Sequence, residues 1–173
     1  AHACDLLQLL LDPESMEVDD RDAFLRSFYD RHLPDLLRGL DVSESSSGAS
    51  ASASASAPAA TVGSLSETKR TSAHLVCMLL SVWVQTHGFQ IRLAMSRTDL
   101  VQRVLAMLAC AEKHLVLDAI RFVRTCIATR EDFFVLYVCK HDVLAPVVQA
   151  FLRNGVHRNN LVNSSFIELL ELI

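Results

Sequence analysis

Apolar residues recur along this chain at helical spacing, and the helical blocks themselves recur at a near-constant interval. Leu6, Leu7, Leu10 and Leu11 form one stripe that stops before Asp12-Pro13. Phe24, Leu25, Phe28 and Tyr29 form the next, followed by Leu33, Leu36, Leu37 and Leu40. His74-Leu75-Val76 and His114-Leu115-Val116 open equivalent helices 40 positions apart. Asp99-Leu100-Val101 and Asp142-Val143-Leu144 stand 43 apart, and Leu115, Ile120, Val123 and Ile127 are echoed at 46 by Leu161, Phe166, Leu169 and Ile173. A period in this range, with two or three helices per unit, is the signature of armadillo and HEAT repeats. The expected fold is therefore all-α, an armadillo/HEAT-like solenoid of about three units, each with a short, a middle and a long helix. The units are expected at 23–88, 89–129 and 131–173, with 1–12 as the last helix of a preceding unit. A globular bundle with coincidental echoes is the competing architecture.

Only 5 Gly and 4 Pro interrupt 173 residues, which leaves room for long helices in one domain spanning 1–173. A hydrophobic fraction of 51% and a mean hydropathy of +0.28 are high for a soluble globule. Both follow if each unit covers its apolar face with its neighbours. Asp142 is expected to N-cap the helix that follows it, and Asn154-Gly155 to stop that helix. Residues 41–68, with an Ala/Ser tract at 49–57, lack the apolar surface that offsets ordering entropy. They are expected to form a disordered insert before the first long helix. Residues 71–91 contain no Asp, Glu, Lys or Arg, yet the continuous apolar heart is only 75–84. So short a heart fits a buried core helix better than a membrane span. No signal peptide is visible, and both ends fall inside helical patterns, as expected for a piece of a longer protein.

Lys+Arg total 16 against Asp+Glu 20, a formal charge of −4 that gives no long-range pull toward nucleic acid or an anionic membrane. The five cysteines (Cys4, Cys77, Cys110, Cys126 and Cys139) lack C-x-x-C pairing and sit among apolar neighbours, as reduced core thiols do. The sequon Asn163-Ser164-Ser165 opens an apolar helical run and is expected to go unused. Cys110/His114 and Cys139/His141 are isolated pairs, so no metal is expected. His32, His74, His114 and His141 occupy similar repeat positions, which suggests capping or packing. No G-x-S-x-G elbow, phosphate loop or H-E-x-x-H is present, so neither catalytic residues nor a cofactor are expected. Binding remains. In a solenoid the long helices line the concave side and their polar ridge meets a partner. That ridge is expected to hold Asp118, Arg121, Arg124 and Thr125 in the second unit and Asn160, Asn163 and Ser164 in the third. Asn offers both donors and acceptors to an extended peptide.

Several blocks carry a family resemblance. They are residues 115–124 (Leu115-Val116-Leu117-Asp118-Ala119-Ile120-Arg121-Phe122-Val123-Arg124), Asp132-Phe133-Phe134, Leu144-x-Pro146-Val147 and Arg158-Asn159-Asn160-Leu161-Val162-Asn163-Ser164. With Leu10-Leu11-Asp12-Pro13-Glu14-Ser15-Met16 upstream, they resemble the central domain of the SMEK (Falafel) family, regulatory subunit 3 of protein phosphatase 4. The resemblance covers nearly the whole chain apart from the insert, and is strongest from Leu115 onward. It implies a non-catalytic helical-repeat scaffold that assembles with a phosphatase catalytic subunit and a further scaffold subunit, and helps target substrate proteins. It also implies work in nucleus and cytoplasm, in DNA repair and signalling. The family's EVH1-like domain, which takes proline-containing motifs, lies outside this chain. A generic armadillo-type peptide-binding adaptor is the alternative, and would need a regular ladder of Asn and Trp on successive long helices.

Overall fold

In the computed structural model, which describes residues 2–41 and 66–173, every regular element is a helix. Ten α-helices run in the order α1 (His2–Leu10), α2 (Val18–Arg31), α3 (Leu33–Leu37), α4 (Glu67–Thr86), α5 (Gly88–Arg97), α6 (Leu100–Ala106), α7 (Lys113–Ala128), α8 (Asp132–Lys140), α9 (Leu144–Asn154) and α10 (Leu161–Leu170). Short 3-10 turns lie at Pro13–Ser15, Arg38–Leu40 and Met107–Ala109. The Ala/Ser tract falls outside the described residues. No single helix among them is long and apolar enough to cross a membrane.

Local chemistry sets the boundaries. After α1, the Asp12 carboxylate accepts the Glu14 N–H at 3.1 Å, and Pro13 opens the turn. Gly155 closes α9 as expected, with φ of 88°, a conformation that glycine alone adopts without strain. Asp142 is not the expected N-cap. It takes φ of 50°, the cap position of α9 is Val143, and no side chain caps that end. Asp tolerates the left-handed region better than most residues. Asp142 therefore forms the corner itself, where α8 and α9 meet with a bend of 67°.

The third helices of the groups, α4, α7 and α10, lie side by side, and other elements pack on them: the turn Arg38–Leu40 on α4, α6 and Met107–Ala109 on α7, and α9 on α10. At 10 residues against 11 for α9, α10 is not the long helix expected of the third unit. The result is an all-α helical-repeat domain of stacked three-helix groups, with α1 against α4. The buried side chains form one continuous cluster from Leu11 to Leu169. Helix α7 is the centre of the stack. Leu115, Ala119, Ile120, Phe122 and Val123 are all at most 1% exposed, because α4 covers one flank and α10 the other.

The burial pattern moves one sequence echo by a residue. Buried Leu115, Val116, Ala119 and Phe122 of α7 correspond to buried Val162, Asn163, Phe166 and Leu169 of α10, whereas Leu161 and Ile173 are exposed. Ile120 and Val123 are buried, but the corresponding Ile167 and Leu170 are about half exposed, with no helix packed on them among the described residues.

Each track of helices is tied by its own polar contacts. Between the third helices, Arg70 pairs with Glu112 at 3.1 Å, His74 with Asp118 at 2.6 Å, and Arg124 with Glu168. Between the middle helices, Arg103 donates to the Leu37 carbonyl at 3.3 Å and Arg153 to the Leu108 carbonyl at 3.4 Å, each satisfying a helix-end acceptor. Between the first helices, Arg92 pairs with Glu131 at 2.8 Å and the Tyr137 hydroxyl donates to the Met95 carbonyl at 3.2 Å.

Helix α1 is held by a buried histidine that sequence reasoning left unassigned. His87 Nε2 lies 2.8 Å from the Leu11 carbonyl, which can only accept, so Nε2 carries the proton. Nδ1 is then an acceptor for the Tyr29 hydroxyl, also at 2.8 Å. The ring stacks on Trp83 at 5.5 Å. Burial holds the His87 pKa below its ordinary 6.5, so the neutral ring is the folded form.

Candidate protein-binding surface

The seven ridge residues expected from the sequence divide into those the fold has already used and those it has not. Asp118 belongs to the first group. It is 4% exposed, its carboxylate accepts the His74 Nδ1–H at 2.6 Å, and Arg121 approaches to 3.9 Å. A buried carboxylate is stable only when so compensated. Asp118 is therefore a bolt between α4 and α7, not a contact for an outside partner.

Asn163 is likewise structural. At 3% exposure it accepts the Asn154 Nδ2–H at 2.6 Å, while its own Nδ2 donates to the carbonyls of Gly155 at 2.9 Å and Arg158 at 2.6 Å. Asn160 N-caps α10, its Oδ1 accepting the Asn163 backbone N–H at 3.0 Å and the Asn154 side chain at 3.2 Å. Three asparagines thus pin the turn between α9 and α10. The Asn163 amide is fully engaged within the turn.

The other four stay at the surface. Arg124 is half exposed but tied to Glu168 of α10. Thr125 returns its hydroxyl hydrogen to the Arg121 carbonyl, and Ser164 does the same toward Asn160. Arg121 is the freest of the set, with 59% of its side chain exposed and only a 3.9 Å approach to a carboxylate already shared with His74. The His74 and His114 rings meet edge-on beside it at 6.3 Å.

Sequence reasoning missed an apolar component of this surface. It assigned all of 75–84 to the core, yet Met78 is 46% and Val82 36% exposed. Their i, i+4 spacing, in line with polar Thr71 and Gln85, is the available signal. Helix α4 therefore leaves a thioether exposed at Met78, while Val82 turns toward α1 and lines a cavity with Gln8 and Leu9; the exposed guanidinium of Arg121 lies on α7. Met and Arg are both over-represented in protein interfaces.

Among the described residues no group of three His, Cys, Asp or Glu side chains can hold a metal ion. Cys77, Cys110, Cys126 and Cys139 are free. Burial pushes the Cys77 thiol well above its ordinary range, with the Asp118 charge adding to the effect, and pushes Cys126 up to about 12. Both stay protonated and inert as nucleophiles.

Comparison with known proteins agrees with this picture. The family model described as "Phosphatase 4 regulatory subunit 3" matches residues 1–173. "Serine/threonine-protein phosphatase 4 regulatory subunit 3" of Drosophila melanogaster is 30% identical over 97% of this chain, which spans 16% of that protein. "Protein PPP4R3C1" of Mus musculus is 28% identical over 97% of the chain, which spans 20% of it. No solved structure matches. With its whole length accounted for by one family model, the chain belongs to the phosphatase 4 regulatory subunit 3 family.

Proposed function

We propose that this chain is a non-catalytic, armadillo-like scaffold module of a Ser/Thr protein phosphatase 4 complex, holding the catalytic subunit and its scaffold subunit and helping to present substrate proteins in nucleus and cytoplasm. The family match from end to end carries the reading. The geometry supports it by leaving exposed on α4 and α7 two groups the fold has not used, Met78 and Arg121. Three helices per group favour the armadillo over the two-helix HEAT pattern. The adaptor alternative is disfavoured because Asn160 and Asn163, the side chains it would need, are spent on the turn before α10.

The test is a pull-down from cell extract with residues 1–173, probed for the phosphatase 4 catalytic subunit, beside Arg121→Glu and Met78→Asp forms. Recovery by the parent and loss by both variants, with melting temperatures unchanged, is the expected result. Equal recovery by all three would remove the long-helix surface from the proposal. Failure of the parent to recover any phosphatase subunit would remove the module's role in assembly.

A further inference from the structure

Where α4 gives way to α5, a cavity of about 320 Å³ opens between α2 and α5, two helices that pack on each other within the stack. Arg21, Asp22 and Leu25 of α2 line one side. Gly88, Phe89 and Gln90, the first three residues of α5, line the other.

Gln90 marks the cavity as unfinished. Four polar or charged residues are buried among the described residues, and three of them, His87, Asp118 and Asn163, are bonded. Gln90 is 6% exposed, and its side-chain amide has no hydrogen-bond partner among the described residues. Buried amides are nearly always paired, because leaving such a hydrogen bond unmade is costly. The same wall holds further donors. The Gly88 and Phe89 backbone N–H groups have no acceptor among the described residues, as expected at a helix start that no side chain caps. Gly88 has a φ of 28°, and a Cβ there would meet nothing within 4 Å, so the way to those groups is open. On the facing wall Arg21 meets Asp22 through Nε at 3.3 Å, which leaves its terminal nitrogens unpaired among the described residues.

Unpaired N–H donors at the positive end of a helix dipole favour an acceptor that carries negative charge. Asp22 already offsets Arg21, so little more than the partial charge of the helix end remains to be matched. That suits a monoanion and leaves a phosphate dianion under-compensated. A volume at the small end of ligand cavities suits one side chain. Phe89, 61% exposed, adds a ring face for the apolar part of the same segment. We infer that this cavity binds the carboxylate of a glutamate or aspartate presented by another protein, its oxygens accepting from the Gln90 amide, the Gly88 and Phe89 N–H groups and Arg21. The inference rests neither on Arg121 nor on phosphatase binding.

Heteronuclear amide NMR spectra of the isotope-labelled chain, titrated with short capped peptides, test it. One peptide carries a glutamate between two leucines, the other a glutamine in its place. The glutamate peptide should shift the Gly88 and Phe89 backbone signals and the Gln90 side-chain pair, and should bind about tenfold more tightly than the glutamine peptide. Gln90→Leu and Arg21→Gln should each weaken that binding about fivefold or more. Gln90→Leu removes an unpaired buried amide, so its melting temperature should equal or exceed the parent's and lost binding cannot be ascribed to unfolding. Unmoved Gly88 and Phe89 signals, equal binding of the two peptides, or parental binding by Gln90→Leu would overturn the inference. Two further probes can do so as well. Free propionate binding as tightly as the glutamate peptide would make this a small-acid site with no protein partner, and inorganic phosphate binding more tightly than propionate would refute the choice of a carboxylate.

Discussion

Replacing Asn163 by alanine separates a structural from a recognition role for the third unit's asparagines. The side chain makes three hydrogen bonds: it accepts from Asn154 and donates to Gly155 and Arg158. Each is worth about 1 kcal/mol net, and an orphaned buried partner costs about 1–3 kcal/mol. Gly155 and Arg158 lie in a turn that water can reach, so part of that cost is recovered by hydration. The balance is a loss of about 2–3 kcal/mol. At roughly 2–4 °C per kcal/mol for a chain of this size, thermal unfolding followed by far-ultraviolet circular dichroism should drop by about 5–10 °C. Ser164→Ala, one residue on and exposed, should change almost nothing. If Asn163→Ala melts with Ser164→Ala but loses phosphatase recovery, the asparagine reads a partner after all and the hydrogen-bond assignment is wrong.

Other substitutions test other layers of the structure. Phe122→Ala, at 1% exposure between α4 and α10, should cost about 3–5 kcal/mol, whereas Phe89→Ala, 61% exposed on α5, should cost under about 0.5 kcal/mol by the same melting assay. Asp118→Ala, which strands the His74 N–H and removes the anchor of Arg121, should destabilise by about 2 kcal/mol in a denaturant titration. His87 gives a pH dependence of known sign. Its folded pKa lies below 6.5, so the unfolded chain binds the proton first and stability, flat above about pH 7, falls as pH drops through 6.5. The limiting slope is about 1.4 kcal/mol per pH unit. Relative to the parent, His87→Gln should flatten that part of the stability profile.

The architecture was legible because an amphipathic helix in a stack must show its apolar stripe in the sequence, and stacked units must show it repeatedly. What the stripe does not say is which neighbour covers it. Ile120 and Val123 read the same as Ile167 and Leu170, but among the described residues only the first pair is covered, and the sequence echo slipped by one residue there. Asp142 was misread for a different reason. An Asp before an apolar run serves equally as an N-cap or as a left-handed corner, and the close junction of α8 with α9 selects the corner. Of the ridge, Asp118 and Asn163 carried a usable signal. Asp118 lies three residues from Leu115 and four from Phe122, and Asn163 three from Phe166, so each falls inside the buried arc of its own helix. A polar residue on that arc needs a partner within the fold, and His74 and the α9–α10 turn supply them.

Polar residues of a stacked helical repeat thus answer first to the stack. Every track of helices here spends charged or amide side chains on its neighbour: Arg70, His74 and Arg124 along the long helices, Arg103 and Arg153 along the middle ones, Arg92 along the first. A ridge charge is therefore a candidate for recognition only after its distance to the adjacent unit has been measured. By that standard Arg124 is discounted, since an acidic partner must compete with Glu168 for it, while Arg121 is retained because its nearest carboxylate is already bonded to His74. The apolar residues obey the converse rule. Met78 is left uncovered on α4 although its neighbours Leu79 and Leu80 are fully packed, so the stack does not need it. The side chains that add least to holding this domain together are accordingly the ones whose loss should change binding while the melting temperature stays put.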